Sequence, residues 1–114
     1  MDAALAGERS QGVARATRFL ARLEYARGNF EASHRLARDA AELFVENLTV
    51  DHPLALGMMM DYAMTLTELG RATEARQIYE YALSSFAFAQ GAEHADTLRA
   101  KELLQELSHH QSRG

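Results

Sequence analysis

The chain has 114 residues, 47% of them apolar and 25% charged, with a net charge of −4, one Pro and no Cys. That is one domain of ordinary size with enough apolar side chains for a packed core, and its abundant Ala and Leu favour helix. The absence of Cys excludes disulfides, thiolate nucleophiles and Cys-ligated metals, and the acidic balance argues against a dedicated nucleic-acid binder.

Met1 to Ser10 holds Gly7 and no firm periodicity, so residues 1–10 read as a flexible N-terminus. With Asp2 and Glu8 and no long apolar run, they do not read as a signal peptide. No apolar run reaches the ~20 residues that span a bilayer, and a cytoplasmic protein without membrane attachment is expected. A first helix is predicted over Gln11–Arg27, with Val13, Ala16, Leu20 and Leu23 inward at spacings of three and four. Arg15, Arg18 and Arg22 line another side of it. Gly28 ends it, since Gly tolerates the left-handed conformation of a helix C-cap.

A second helix is predicted over Phe30–Asn47, with a buried stripe of Phe30, Ala37, Ala40, Ala41, Phe44 and Leu48. Pro53 suits the first position of a third helix running to Leu69, and Asp51 places a negative charge near its positive end. Ala55, Met59, Tyr62, Ala63 and Leu66 are expected to face inward. After Gly70, a fourth helix over Ala72–Gln90 carries Ala75, Ile78, Tyr79, Ala82, Leu83 and Phe86 as its core stripe. Gly91 ends it. A fifth helix over His94–Ser108 turns Leu98, Leu104 and Leu107 inward and shows Lys101, Glu102, Gln105 and Glu106 to water, as a terminal cap requires. His109–Gly114 reads as a disordered tail.

Overlaying the chain on itself at an offset of 42 aligns Ala21 with Ala63, Gly28 with Gly70, Ala40 with Ala82, Phe44 with Phe86, His52 with His94 and Leu56 with Leu98. Small residues recur where helices must approach closely, as with Ser33 and Ala75. The chain is therefore an internally repeated set of helical hairpins, over 11–48 and 52–90, with a capping helix over 94–108. A fixed period of this size indicates a solenoid of stacked units.

The second copy resembles a tetratricopeptide repeat. Met59, Tyr62, Ala63 and Leu66 stand at the first positions of that family's pattern, and Ala75 and Tyr79 at its last two. In the first copy Thr17, Leu20, Ala21, Glu24, Ser33 and Ala37 hold those places, and Glu24 departs from the usual Tyr. The 42-residue spacing and the His-Pro opening are similar to the longer variant of kinesin light chains and many bacterial regulatory proteins. The resemblance implies an all-α, right-handed solenoid of five helices, about two and a half repeats, that binds proteins without catalysing a reaction.

It also implies a concave groove lined by the first helix of each hairpin. Carried over, the groove residues are Arg15, Arg18, Arg22 and Tyr25 on the first helix, Met60, Met64 and Thr67 beside Gly57 on the third, and Arg99, Glu102 and Glu106 on the fifth. Arg forks bind carboxylates and exposed Met adapts to apolar surfaces, so a peptide or helix with acidic residues around an apolar anchor is the expected partner. The competing reading makes the three arginines an ordinary solvated face and puts at least two of Met58, Met59 and Met60 in the core. The family's dicarboxylate clamp is not reproduced: Arg18, Arg22, Asp61, Arg99 and Leu103 stand at its positions, and Asp61 repels a carboxylate.

Nothing marks a catalytic, cofactor or metal site. There is no nucleophile elbow, no Gly-rich phosphate loop and no paired carboxylates. His52 and His94 read as structural residues at equivalent junctions, and His109-His110 as part of a solvated tail. A second functional expectation is homo-oligomeric assembly. With the sixth helix missing, Phe86, Phe88, Leu103 and Leu107 would form an interface if exposed together.

Overall fold

The computed structural model describes residues 3–47 and 52–113. Five helices follow one another: α1 (Ala3–Ala26), α2 (Phe30–Asn47), α3 (Pro53–Glu68), α4 (Ala72–Gln90) and α5 (Ala95–Arg113). Each packs on the next in the chain, and α3 also meets α1 and α5 along one side. This is an all-α helical-hairpin solenoid of two hairpins and one further helix, with no strand among the described residues.

The hairpin turns form as expected. Gly28 and Gly70 adopt φ of 82° and 81°, and the amide behind each returns to the closing helical turn, Asn29 N to Glu24 O and Arg71 N to Leu66 O. The junction histidines act at helix starts. His52 caps α3 by accepting the Leu54 amide on Nδ1 at 3.2 Å, with Pro53 at the first helical position. His94 accepts the Asp96 amide in the same way at 3.2 Å. One imidazole thus serves the same orphan donor in both copies. Leu48 and Asp51, assigned a stripe position and a helix-end charge, lie outside the described residues.

Two helices exceed their expected limits. α1 begins at Ala3 rather than Gln11, and α5 continues to Arg113 rather than ending at Ser108, so residues 3–10 and 109–113 are helical. Neither segment contains Pro, and Gly alone costs about 1 kcal/mol against Ala within a helix.

The main core lies in the C-terminal half. Leu56, Met60, Ala63 and Leu66 of α3 meet Ala75, Tyr79, Ala82 and Phe86 of α4 and Ala100, Leu103 and Leu107 of α5. A smaller cluster of Ala14, Ala40, Phe44, Ala55 and Met58 joins the first hairpin to α3. Met58 and Met60 are buried, and Met59 is half-buried against the main core.

The inward face of α1 is not the expected one. Val13, Leu20 and Leu23 are 55%, 48% and 38% exposed and Ala16 is exposed, whereas Ala14 and Ala21 are buried. Two contacts set this rotation. Ser33 of α2 donates to the Ala21 carbonyl at 2.7 Å, an approach that a larger side chain at 21 would prevent. On the adjoining side, Arg18, Arg22 and Tyr25 reach α3. The small residues shared by the two copies, not the Leu periodicity, mark the packed face. Leu98 of α5, expected inward, is likewise 45% exposed, because the fourth-helix contacts of α5 run through Thr97, Ala100 and Leu107.

Candidate functional site

Helices α1, α3 and α5 border an open cleft of about 510 Å³. Arg18, Arg22 and Tyr25 of α1 form one wall, Met60, Asp61 and Met64 of α3 the middle, and Asp96, Arg99 and Leu103 of α5 the other wall. Ala21, Ser33, Ala37 and Phe86 reach its floor. A second hollow of about 250 Å³ continues along the same side between Tyr25, Met64, Thr67, Glu68, Tyr79, Arg99 and Glu106.

Of the residues assigned to a groove, Arg18, Arg22, Tyr25, Met60, Met64 and Arg99 line the larger cleft and Thr67 the continuing hollow. Glu106 lines the hollow, and Gly57 borders the larger cleft. Arg15 lines neither and is exposed; Glu102 lines neither and pairs with Arg99 at 3.0 Å. Met60 is nearly closed off at 8% exposure, so Met64 is the methionine that meets an entering group.

The arginine wall is not a row of free guanidiniums. Arg18 Nε donates to Asp61 Oδ2 at 2.7 Å, and Arg22 Nε donates to the same oxygen at 3.1 Å. One carboxylate therefore serves two cations. Arg18 is the more enclosed, with a side chain 23% exposed, while Arg22 is 61% exposed and keeps donors toward solvent. Two arginines against Asp61 leave this wall one positive charge, and the α5 wall carries one charge of each sign, Asp96 and Arg99. Gly57 makes room for the arrangement: a Cβ there would lie 3.3 Å from the Arg18 guanidinium.

The clasp between α1 and α3 continues one helical stretch further. Tyr25 donates its hydroxyl to Glu68 at 3.0 Å. Burial first, and then the Glu68 carboxylate, push the Tyr25 phenol up to about 12. Tyr79, at the back of the hollow, is also pushed up to about 12 by burial, against the lowering effect of its hydrogen bond with Thr67. Both phenols stay protonated at any ordinary pH, and Tyr25 serves as a fixed donor to Glu68.

Asp61 and Glu68 were not among the residues picked out as lining the groove. The sequence does hold a signal: Arg18 and Tyr25 are seven apart, as are Asp61 and Glu68, so each pair lies on one helix face and the two pairs are in step. Phe86, Leu103 and Leu107, expected at an assembly surface, are buried instead, and only Phe88 of that group is exposed. No cluster of three metal-ligating side chains occurs among the described residues. No helix among them is long and apolar enough to cross a membrane.

Two repeated hairpins, small residues at the close approaches and a cleft bordered by alternate helices define a particular architecture. Residues 13–54, from α1 through the junction into α3, match the family model for the tetratricopeptide repeat. Over residues 13–54 the chain carries a tetratricopeptide repeat. The match falls on the first copy, in which Glu24 departs from the family's pattern, and its 42 residues equal the period found by self-overlay. A search of curated proteins found no significant match. Tetratricopeptide repeats are protein–protein interaction modules, and stacked repeats present extended concave surfaces for that purpose.

Proposed function

We propose that the cleft between α1, α3 and α5 binds a peptide or short helix of a partner protein. The observation that carries this reading is the cleft's composition: an apolar lining of Met64, Leu103 and Phe86 beside an exposed Arg22 that shares the Asp61 carboxylate with Arg18. An apolar anchor of the partner enters over Met64, and an acidic residue beside it reaches the solvent-facing donors of Arg22. Because Asp61 already neutralises one of the two arginines, the cleft favours one carboxylate rather than a dense acidic tract. Arg99, tied to Glu102, adds a weaker second contact.

Selection of displayed peptides on the intact protein tests this. Enriched sequences are expected to combine an apolar anchor with an adjacent Asp or Glu, and to bind Arg22→Glu and Met64→Lys variants at least about tenfold more weakly. Enriched peptides that bind both folded variants as well as the wild type would remove the cleft as the site.

A further inference from the structure

The outward side of α1 is an apolar seam without a neighbour among the described residues. Val13, Ala16, Leu20 and Leu23 recur at spacings of three and four, the positions of a coiled-coil seam, and Phe19 stands beside them at 68% exposure. The internal repeat shows what such a face normally meets. At an offset of 42, these four residues correspond to Ala55, Met58, Tyr62 and Thr65 of α3. There the face is covered by α2: Ala55 and Met58 pack on Phe44 and Ala40, the Tyr62 ring stacks on His34, and Thr65 bonds to it. In α5 the corresponding Thr97, Ala100 and Leu107 are buried. Only α1 carries this face uncovered.

The chain itself supplies one suitable cover. Of the exposed large apolar residues among those described, Val13, Phe19, Leu20 and Leu23 are on α1, while Tyr81, Phe88 and Leu98 are scattered over α4 and α5. The seam is self-complementary when reversed. In an antiparallel pair about Leu20, the small Ala16 of one copy opposes Leu23 of the other, Leu20 meets Leu20, and the two Phe19 rings flank the centre. The charges permit it. Arg18 and Arg22 line the cleft, and Arg15, seven residues before Arg22 on the same helix face, is likewise away from the seam. Glu24, at the seam's other edge, is already held by Arg27 and Asn29, and the reversed helix brings Thr17 rather than a second carboxylate beside it.

We propose that a second copy of this chain docks on α1, forming a two-fold antiparallel helix pair with Leu20 at the axis and both clefts left open. One helix face per partner is a small interface, so the dimer forms at micromolar or higher concentration.

Sedimentation equilibrium of the full chain from about 1 to about 200 µM tests this, the range in which so small an interface dissociates. A two-fold rise in mass is expected across the range. Leu20→Glu is expected to abolish it, and Phe88→Glu, at a still more exposed apolar site elsewhere, to leave it intact. Monomer mass throughout, or a dimer that survives Leu20→Glu, overturns the proposal. Leu20→Cys provides a test that needs no disruptive charge. With no other thiol in the chain, mild oxidation is expected to link two copies of Leu20→Cys readily and two of Val13→Cys poorly, because only the axial position brings equivalent Cβ atoms into disulfide range. Equal linking of the two variants also overturns it.

Discussion

Helices α1 and α5 occupy the same place in the first and third repeats, at opposite ends of the stack, yet they distribute their side chains in opposite ways. α5 turns Leu103 and Leu107 into the core and shows water Lys101, Glu102, Gln105 and Glu106. α1 buries Ala14 and Ala21 and shows water Val13, Phe19, Leu20 and Leu23. The C-terminal end is finished by polar residues; the N-terminal end is held by close backbone approach and polar ties to α3, and its apolar bulk remains available. Leucine count does not distinguish a terminal helix that closes a solenoid from one that leaves it open. The register of those leucines against the small residues does.

Truncating leucine at each end breaks the comparison most sharply. Leu107→Ala, at a site 2% exposed, is expected to destabilise by about 2–4 kcal/mol, from lost transfer energy and the cavity left behind. Leu20→Ala, at a site 48% exposed, is expected to change monomer stability by less than about 0.5 kcal/mol in urea unfolding at low micromolar concentration. Similar losses for the two would mean that the α1 seam is covered in solution even in the monomer.

The next effect is overpacking. Ala21→Leu inserts a branched side chain where Ser33 must reach the Ala21 carbonyl, and about 1–3 kcal/mol of destabilisation is expected. Ala16→Leu, five residues earlier on the outer face, is expected to be neutral by the same measurement. If Ala16→Leu is the costly one, the rotation described for α1 is wrong.

Removing the shared counter-ion has a smaller effect on stability and a larger one on binding. Asp61→Asn leaves Arg18 and Arg22 facing each other with no carboxylate between them. Because Arg22 is largely solvated, the cost is held to roughly 1 kcal/mol. The same change frees two guanidinium forks, and peptides selected for an acidic residue are expected to bind several-fold more tightly. Weaker binding to a folded Asp61→Asn variant would show that the Arg18–Asp61–Arg22 arrangement shapes the cleft rather than competing with the ligand.

Much of the fold was legible because it depends on residues whose choice is restricted for one reason each. Gly28 and Gly70 are needed for left-handed φ, His52 and Pro53 for a helix start, and Ala63, Ala75 and Ala82 for close packing. Their spacing gave the period, and the period gave the hairpins. Six of the proposed groove positions line the larger cleft because they follow from that register. What the spacing of three and four could not reveal was which of two faces of α1 is buried, since Ala14–Ala21 and Val13–Leu20 both satisfy it. The deciding facts lie in pairs far apart in sequence: Ser33 with Ala21, Arg18 with Asp61, and Tyr25 with Glu68. Asp61 was noted only as an obstacle to a carboxylate, because a lone Asp on a helix face does not by itself show the cations that the preceding repeat brings to it.

The smallest expected effect concerns the covered counterpart of the α1 seam, where His34 of α2 lies on α3. Its ring stacks on Tyr62 at a centroid distance of 4.8 Å, and its Nδ1 is 3.0 Å from the Thr65 hydroxyl. That hydroxyl gives its own proton to the Tyr62 carbonyl at 2.6 Å, so Nδ1–H of His34 is the donor. This bond is available to the charged ring as well as the neutral one and does not oppose protonation. Burial does, and then the nearby Arg71 and Arg38, which together hold His34 below its ordinary value. The unfolded chain binds the proton near pH 6.5, before the folded one does, so the contribution of His34 is fully present above about 6.5 and declines as the pH falls below it. The melting temperature of the wild type is expected to drop more between pH 7.5 and 5.5 than that of His34→Gln, whose amide can keep the bond to Thr65 without titrating. An NMR titration midpoint for His34 at or above that of a free imidazole would refute this. It would also imply that the α2–α3 contact is wetter than its stacked ring indicates, and so closer in character to the bare seam on α1.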